Sequence, residues 1–296
     1  WTAFSLCHSV ISGSTPDAAG ASWWQPHLGE ARNWDLQLGA DPAKIDLSEN
    51  RTMYLLDLWA VVPSPTKLDY GDGDPVTVPA GPLAGAIAEL HARMPRTQVI
   101  CQVATGALDL ALPDAAKFPG YQDNHAAIPD NPTPPQPGSV IGWKVFESEL
   151  RWLDERESSR LAFAPIVFKR FELAHRIGCD GVAPSGNFAG DTTGFTVTAA
   201  DRESWHGELA RQAHARGLSV GMLNVDLLAT VAVAVAPKFD WAMIERCGEA
   251  GSCDFAGPFI GIDKAVLAVD YDHDSAGVAQ SAATVCAVQK DRKITD

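Results

Sequence analysis

Short apolar, β-like runs recur along the chain with helical patterns between them. They are Trp34 to Leu38, Met53 to Leu58, Gln98 to Val103, part of Trp143 to Leu153, Cys179 to Ala183, Leu218 to Leu223, Phe239 to Ile244 and Lys264 to Val269. Strands that alternate with helices imply a parallel sheet with right-handed crossovers. Eight such units within 296 residues favour a closed barrel over an open sheet. The expected fold is α/β: a single (β/α)8 TIM barrel, one domain over residues 1–296, with long Pro-rich loops.

Two helices are marked at both ends. From Ala199 to Arg216, Thr198 and Asp201 form a capping-box pattern, Trp205, Leu209 and Ala213 mark one face, and Gly217 supplies the stop before the next strand. A second helix is predicted from about Pro165 to Ile177, with Phe168, Phe171 and Ala174 at helical spacing. Pro165 is tolerated in its first turn and Gly178 ends it. Two stretches break the rhythm: Val62 to Pro82, with its Asp-Gly-Asp run, and Pro113 to Gly138. Loops this long in a compact barrel are functional or lie on the surface.

Composition narrows the field. With 46% hydrophobic residues the chain can bury a full core, which excludes a disordered protein. Its 23 Lys and Arg against 37 Asp and Glu leave a net charge of −14, which repels phosphate backbones and anionic lipid surfaces. Neither nucleic acid nor a membrane is expected as a partner. The longest apolar stretch, Leu227 to Ala236, is about half of what crosses a bilayer. The chain starts at Trp1 rather than Met, which fits a leader removed upstream or a sequence that begins late.

Six cysteines are an even number, and Cys247 and Cys253 lie six apart in a Gly-rich stretch that can turn tightly enough to bridge them. For Cys101 and Cys179, in apolar runs, a buried thiol and a long-range bridge are equally open, and Cys7 and Cys286 are placed to tie the termini together. This usage leans towards an oxidising, extracellular compartment. No CxxC pair or HExxH helix accompanies the thiols, and His206 and His214 look like a surface stripe on one helix, so no metal is expected. No Gly-rich phosphate loop follows a strand, Ser185 lacks a GxSxG elbow, and no cofactor is expected.

The order of short motifs says more. Gly178-Cys179-Asp180-Gly181-Val182 is followed by Thr193-Gly194-Phe195, Ala213-His214-Ala215-Arg216-Gly217-Leu218, Val220-Gly221-Met222-Leu223-Asn224, Phe239-Asp240, Glu245-x-Cys247 and Cys253. Upstream stand Trp34-x-Leu36-Gln37-Leu38, Leu56-Asp57-Leu58, Val99-Ile100-Cys101 and Trp152-Leu153-Asp154, in the places of strands one to four. Over nearly its whole length the chain resembles glycoside hydrolase family 114. The resemblance implies a TIM-barrel enzyme, typically secreted, associated with endo-cleavage of α-1,4-linked galactosamine polymers, and hence a polysaccharide partner.

Glycoside hydrolysis needs two carboxyl groups across the scissile bond, and a TIM barrel places them at the C-terminal ends of strands. The resemblance assigns the acid/base role to Glu245. The family's second acid belongs to a Glu-Pro-Asp-Asn motif that here reads Ala183-Pro184-Ser185-Gly186. Ser185 therefore stands where the nucleophilic Asp is expected, and a hydroxyl ionises far too weakly to replace it without an activating base. Leu223 replaces the family's Lys before Asn224, Gln102 an aromatic after strand three, and Asp270-Tyr271 a Glu-Tyr pair. The remaining mouth candidates are Asp57, Asp154 and Asp270, with Asn224 and Tyr271 as substrate-binding residues. Asp191 lies in a nearby loop, and Asp180, near the start of its strand, is expected to make structural hydrogen bonds. Among tryptophans near strand ends, Trp24 and Trp59 are the candidates for stacking on sugar rings, whereas Trp23, Trp34, Trp143, Trp152 and Trp241 are expected to anchor core and loops. Three readings follow: a sugar-binding or weakly active member degenerate at Ser185, an active hydrolase with a relocated partner for Glu245, or a structural component of an extracellular matrix or appendage.

Overall fold

Eight strands form one curled sheet: β1 (Ala3–Phe4), β2 (Trp34–Gln37), β3 (Met53–Asp57), β4 (Gln98–Ala104), β5 (Gly181–Ser185), β6 (Ser219–Leu223), β7 (Trp241–Glu245) and β8 (Val266–Tyr271). The computed structural model describes residues 3–4, 23–39, 41–131, 136–145, 148–187, 193–271 and 273–281. From β2 to β8 each strand lies parallel to the next in sequence, and β1 joins the far edge of β8 antiparallel, with Ala3 opposite Tyr271. Seven of the expected runs are thus barrel strands, within a residue or two of their predicted limits.

The run from Trp143 to Leu153 is not a barrel strand. β4 pairs directly with β5, from Ile100 opposite Gly181 to Ala104 opposite Ser185, and leaves no place between them. The strands Ile141–Lys144 and Leu150–Leu153 instead form a hairpin, to which Ala107–Asp109 adds from the end of β4 in a separate antiparallel sheet. Ala107, Val145 and Trp152 give that excursion its own small apolar cluster. A period-two apolar run looks the same in either setting. The loop from Val62 to Pro82 likewise carries a short hairpin, Thr66–Leu68 against Val76–Val78.

Alternation along each parallel strand divides the core into two layers. Trp34, Met53, Leu55, Ile100, Ala183, Leu223, Trp241, Met243, Leu267 and Val269, drawn from seven strands, pack together inside the barrel. Their sequence neighbours, such as Tyr54, Leu56, Val99, Val182, Val220 and Ala242, pack outward against the helices. Gly221 takes part in the inner layer by having no side chain, because a methyl group there would overlap the Trp241 ring. Gly221→Ala is expected to lower the unfolding free energy by about 1–3 kcal/mol through overpacking, read as a shift in urea midpoint at constant slope.

The helices that matter here are α1 (Ala86–Arg93), α2 (Ala164–Ile177) and α3 (Ala199–His214). Thr198 and Asp201 make the reciprocal capping box, and Gly178 and Gly217 end their segments in the left-handed region, at φ 96° and 71°. His206 is not on a surface stripe. It is fully buried, its Nδ1 lies 2.8 Å from the Arg202 carbonyl oxygen, and burial pushes its pKa down to about 4, so the ring is neutral. The reason is that the face holding Trp205 and Leu209 turns inward and takes His206 with it.

The N-terminal ends of the strands are closed by a device used twice. Asp180, just before β5, accepts from the Val99 N–H at 2.7 Å and lies 2.8 Å from His91 Nε2. Asp240, just before β7, accepts from the Val220 N–H at 2.8 Å and lies 3.0 Å from His214 Nε2. Each carboxylate ties a strand to its neighbour and to a helix. Trp23 joins the second cluster, stacked on His214 with centroids 4.2 Å apart. Cys101 in β4 is bridged to Cys179, which resolves the two open readings, and Cys247 is bridged to Cys253. Cys7 and Cys286 lie outside the described residues.

Candidate active site

The C-terminal ends of the parallel strands surround one end of the barrel, and alternation decides which terminal side chains look into it. On β7, Trp241 and Met243 belong to the inner layer, so Glu245 continues that face; on β3, Met53 and Leu55 are followed by Asp57. By the same step Gln102, Ser185, Leu223 and Tyr271 face inward, and Ala104 ends the inner row of β4. Glu245, Asp57 and Ser185 are half-buried.

Glu245 is held by its neighbour on β8: the Tyr271 hydroxyl donates to Glu245 Oε2 at 3.0 Å. Burial, then the negative charge of Glu245, hold the Tyr271 phenol far above its ordinary pKa, so it stays protonated and serves as a donor. The Arg246 guanidinium lies over the Tyr271 ring, 4.4 Å from the centroid, and donates to Glu249 at 2.8 Å. Asn224 and Arg246, directly after β6 and β7, both adopt left-handed backbone at φ 52° and 53°. Such conformations cost free energy in residues with side chains and concentrate at functional sites. Asn224 Oδ1, just past the end of β6, is buried with no hydrogen-bond partner among the described residues. The Cys247–Cys253 bridge closes the turn that follows Glu245.

Asp57 uses one oxygen locally. Its Oδ1 accepts from the backbone N–H groups of Trp59 and Ala60, at 2.9 and 3.0 Å. Burial raises the Asp57 pKa against those two bonds, and the charge of Asp109 adds to the rise. At the end of β5 the Ser185 carbonyl accepts from Thr105 and Gly106 at 2.9 and 3.2 Å, which fixes the strand end without supplying an acid. Trp59 stands at the mouth end, but one face of its ring is covered by the Arg170 guanidinium 5.5 Å away.

Three candidates are not where the sequence pattern placed them. Asp154 follows the excursion hairpin, not a barrel strand; it is 1% exposed and gripped by Arg156 through two bonds of 2.8 and 2.6 Å beside a separate cavity of about 580 Å³. Asp270 has the wrong parity: Val269 and Tyr271 face inward, so Asp270 turns to the helix side, 3% exposed and close to Gly248. Trp24 packs against Trp241, at the start of β7, with ring centroids 6.3 Å apart. It plugs the N-terminal end of the barrel, opposite the mouth. Asp191 lies outside the described residues.

Two further carboxyls near the strand ends escaped the pattern. Asp226, two residues after Asn224, accepts from the Ser252 hydroxyl at 3.2 Å, and burial raises its pKa. Glu155 is 5% exposed beside Gly106, and burial pushes its pKa up to about 8. Asp226 had a signal, its closeness to the end of a predicted strand; Glu155 had none, since it arrives by way of the hairpin. Among the described residues no group of three His, Cys, Asp or Glu side chains is arranged to hold a metal ion.

A parallel barrel with a tyrosine-held glutamate at the ends of its strands defines a TIM-barrel protein with a candidate site at the usual, C-terminal face. The chain belongs to glycoside hydrolase family 114, whose model matches residues 13–295. Its fold is similar to that of Aspergillus fumigatus Ega3, solved in complex with galactosamine, at 23% identity and a TM-score of 0.60, over 91% of this chain and 88% of that one. Eubacterium rectale Amy13B is similar more remotely, at 10% identity and a TM-score of 0.45, over 83% of this chain and 59% of that one. No curated protein matches the chain in sequence.

Proposed function

We propose that the barrel mouth binds a galactosamine-containing polysaccharide outside the cell, and that hydrolysis by the family's own pair of acids is weakened by Ser185. The observation that carries this reading is the half-kept site. Glu245 remains at the end of β7 with Tyr271 bonded to it, whereas the inward residue ending β5 is a serine. An inward carboxyl at Glu245, in a chain whose net charge is −14, suits a polymer bearing ammonium groups, which a mouth of opposite charge attracts. Secretion is supported by the Cys101–Cys179 and Cys247–Cys253 disulfides, and no helix among the described residues is long and apolar enough to cross a membrane.

Titration calorimetry with partially deacetylated α-1,4-galactosaminogalactan tests the reading. Saturable binding is expected, weakened about tenfold, or 1.4 kcal/mol, when the polymer is fully N-acetylated. Equal binding of dextran or chitin oligomers, or none of the galactosamine polymer, overturns it.

A further inference from the structure

We infer that Asp57 is the second carboxyl group of this site, facing Glu245 from the opposite wall of the barrel at a distance suited to inversion of the anomeric centre. The inference rests on the mouth being the polysaccharide site. In the order of the sheet, β1-β8-β7-β6-β5-β4-β3-β2, the strands that carry Glu245 and Asp57 are four places apart. Four places is half the circuit of an eight-strand barrel, which sets the two on opposite walls. Eight strands about 4.8 Å apart, tilted about 36°, make a ring roughly 15 Å across. An inward Asp and an inward Glu on opposite walls then bring their carboxyls to roughly 7 Å, within the span of about 6.5–9.5 Å that leaves room for a water in inverting glycosidases. The end of β5, where Ser185 stands, is only two places from β7. An Asp there would lie roughly 5 Å from Glu245, the separation of retaining enzymes.

The surroundings of the two groups fit different roles. Glu245 accepts from the Tyr271 hydroxyl, which orients it towards the mouth; among the described residues Asp57 Oδ2 is free of the bonds that engage Oδ1, and burial raises the Asp57 pKa, which favours the protonated acid. In the step, Asp57 gives its proton to the glycosidic oxygen, and the C1–O bond breaks with its electron pair going to that oxygen. Water on the other face bonds to C1 and passes its proton to Glu245. One water is consumed, an α-linkage gives a β-hemiacetal, and solvent exchange returns the proton to Asp57. Asp226 and Glu155 fit less well: the first is bonded to Ser252, and the second is enclosed near Arg160 and Arg202.

The test compares wild type, Asp57→Asn and Glu245→Gln on partially deacetylated α-1,4-galactosaminogalactan, with the anomeric protons followed by NMR and polymer affinity measured alongside. An Asn side-chain oxygen can still accept from Trp59 and Ala60, so the turn and the melting temperature should survive. Expected are slow wild-type cleavage with the β-anomer first and a loss of at least about 100-fold in Asp57→Asn at unchanged affinity. On a 2,4-dinitrophenyl α-galactosaminide, whose leaving group needs no proton, Asp57→Asn should keep most of the wild-type rate. A merely structural Asp57 would not separate the two substrates. The α-anomer appearing first, or Asp57→Asn cleaving the polymer like wild type, overturns the inference. Binding without any cleavage overturns it too, yet leaves the mouth as a sugar site; absence of binding removes both.

Discussion

Ser185→Asp is expected to raise oligosaccharide release from partially deacetylated α-1,4-galactosaminogalactan by at least about 100-fold, about 2.7 kcal/mol off the barrier. The reason is positional. Ser185 is the last residue of β5, paired with Ala104 of β4, and its carbonyl is fixed by Thr105 and Gly106, so the backbone that would carry the acid is in place. A carboxylate there is a competent nucleophile where a hydroxyl without a base is not. Adding Glu245→Gln to that variant should return product to background, because the new nucleophile would have lost its acid/base partner. The variant should also release the α-anomer first, the reverse of wild type, since its pair is the closer one. Polymer binding with no gain in cleavage would mean that the mouth has changed beyond one residue. Silence from wild type and variant, with no binding, would favour a structural component of a matrix or appendage.

Asp114→Ala is expected to cost about 3–5 kcal/mol of unfolding free energy, a large part of the roughly 5–15 kcal/mol of a typical domain. Asp114 and Arg170 are both fully buried and joined by two bonds of 2.8 Å. The same guanidinium donates to the Ala104 carbonyl at 2.8 Å and lies over the rings of Trp59 and Phe118, while Tyr70 donates to Asp114 at 3.1 Å. Helix α2, the end of β4 and both long loops thus converge on one pair. Removing the carboxylate strands a buried cation, whereas replacing both partners, as in Asp114→Leu with Arg170→Met, should recover most of the loss. Urea unfolding of the single and double variants checks this; a single-variant loss under 1 kcal/mol would mean that water reaches the site.

Much of the barrel was legible in the chain because the signals are local. The capping box at Thr198 and Asp201 is completed within one turn, and Gly178 and Gly217 stop their segments in backbone that other residues enter only with strain. Cys247 and Cys253 are close enough in sequence to find each other whatever the rest does. The alternation from Trp241 through Met243 to Glu245, and from Met53 through Leu55 to Asp57, already contained the information that both acids share a face with the core. Read the same way, Leu267, Val269 and Tyr271 exclude Asp270.

What no stretch of sequence contained is which wall stands opposite which. The apolar hairpin around Trp152 looks like a barrel strand until β4 and β5 are seen to pair without it, and Asp154 leaves the mouth with that correction. The Cys101–Cys179 bridge joins residues 78 apart, and Trp24 reaches the far end of the barrel through its contact with Trp241. Glu155 arrives beside Gly106 only through the hairpin, and the inferred pairing of Asp57 with Glu245 depends on the curl of the sheet. Periodicity is set by the geometry of one strand or helix and can be read from its residues; the partner across a barrel is set by how many strands the ring holds and in what order they pair, a property of the whole chain.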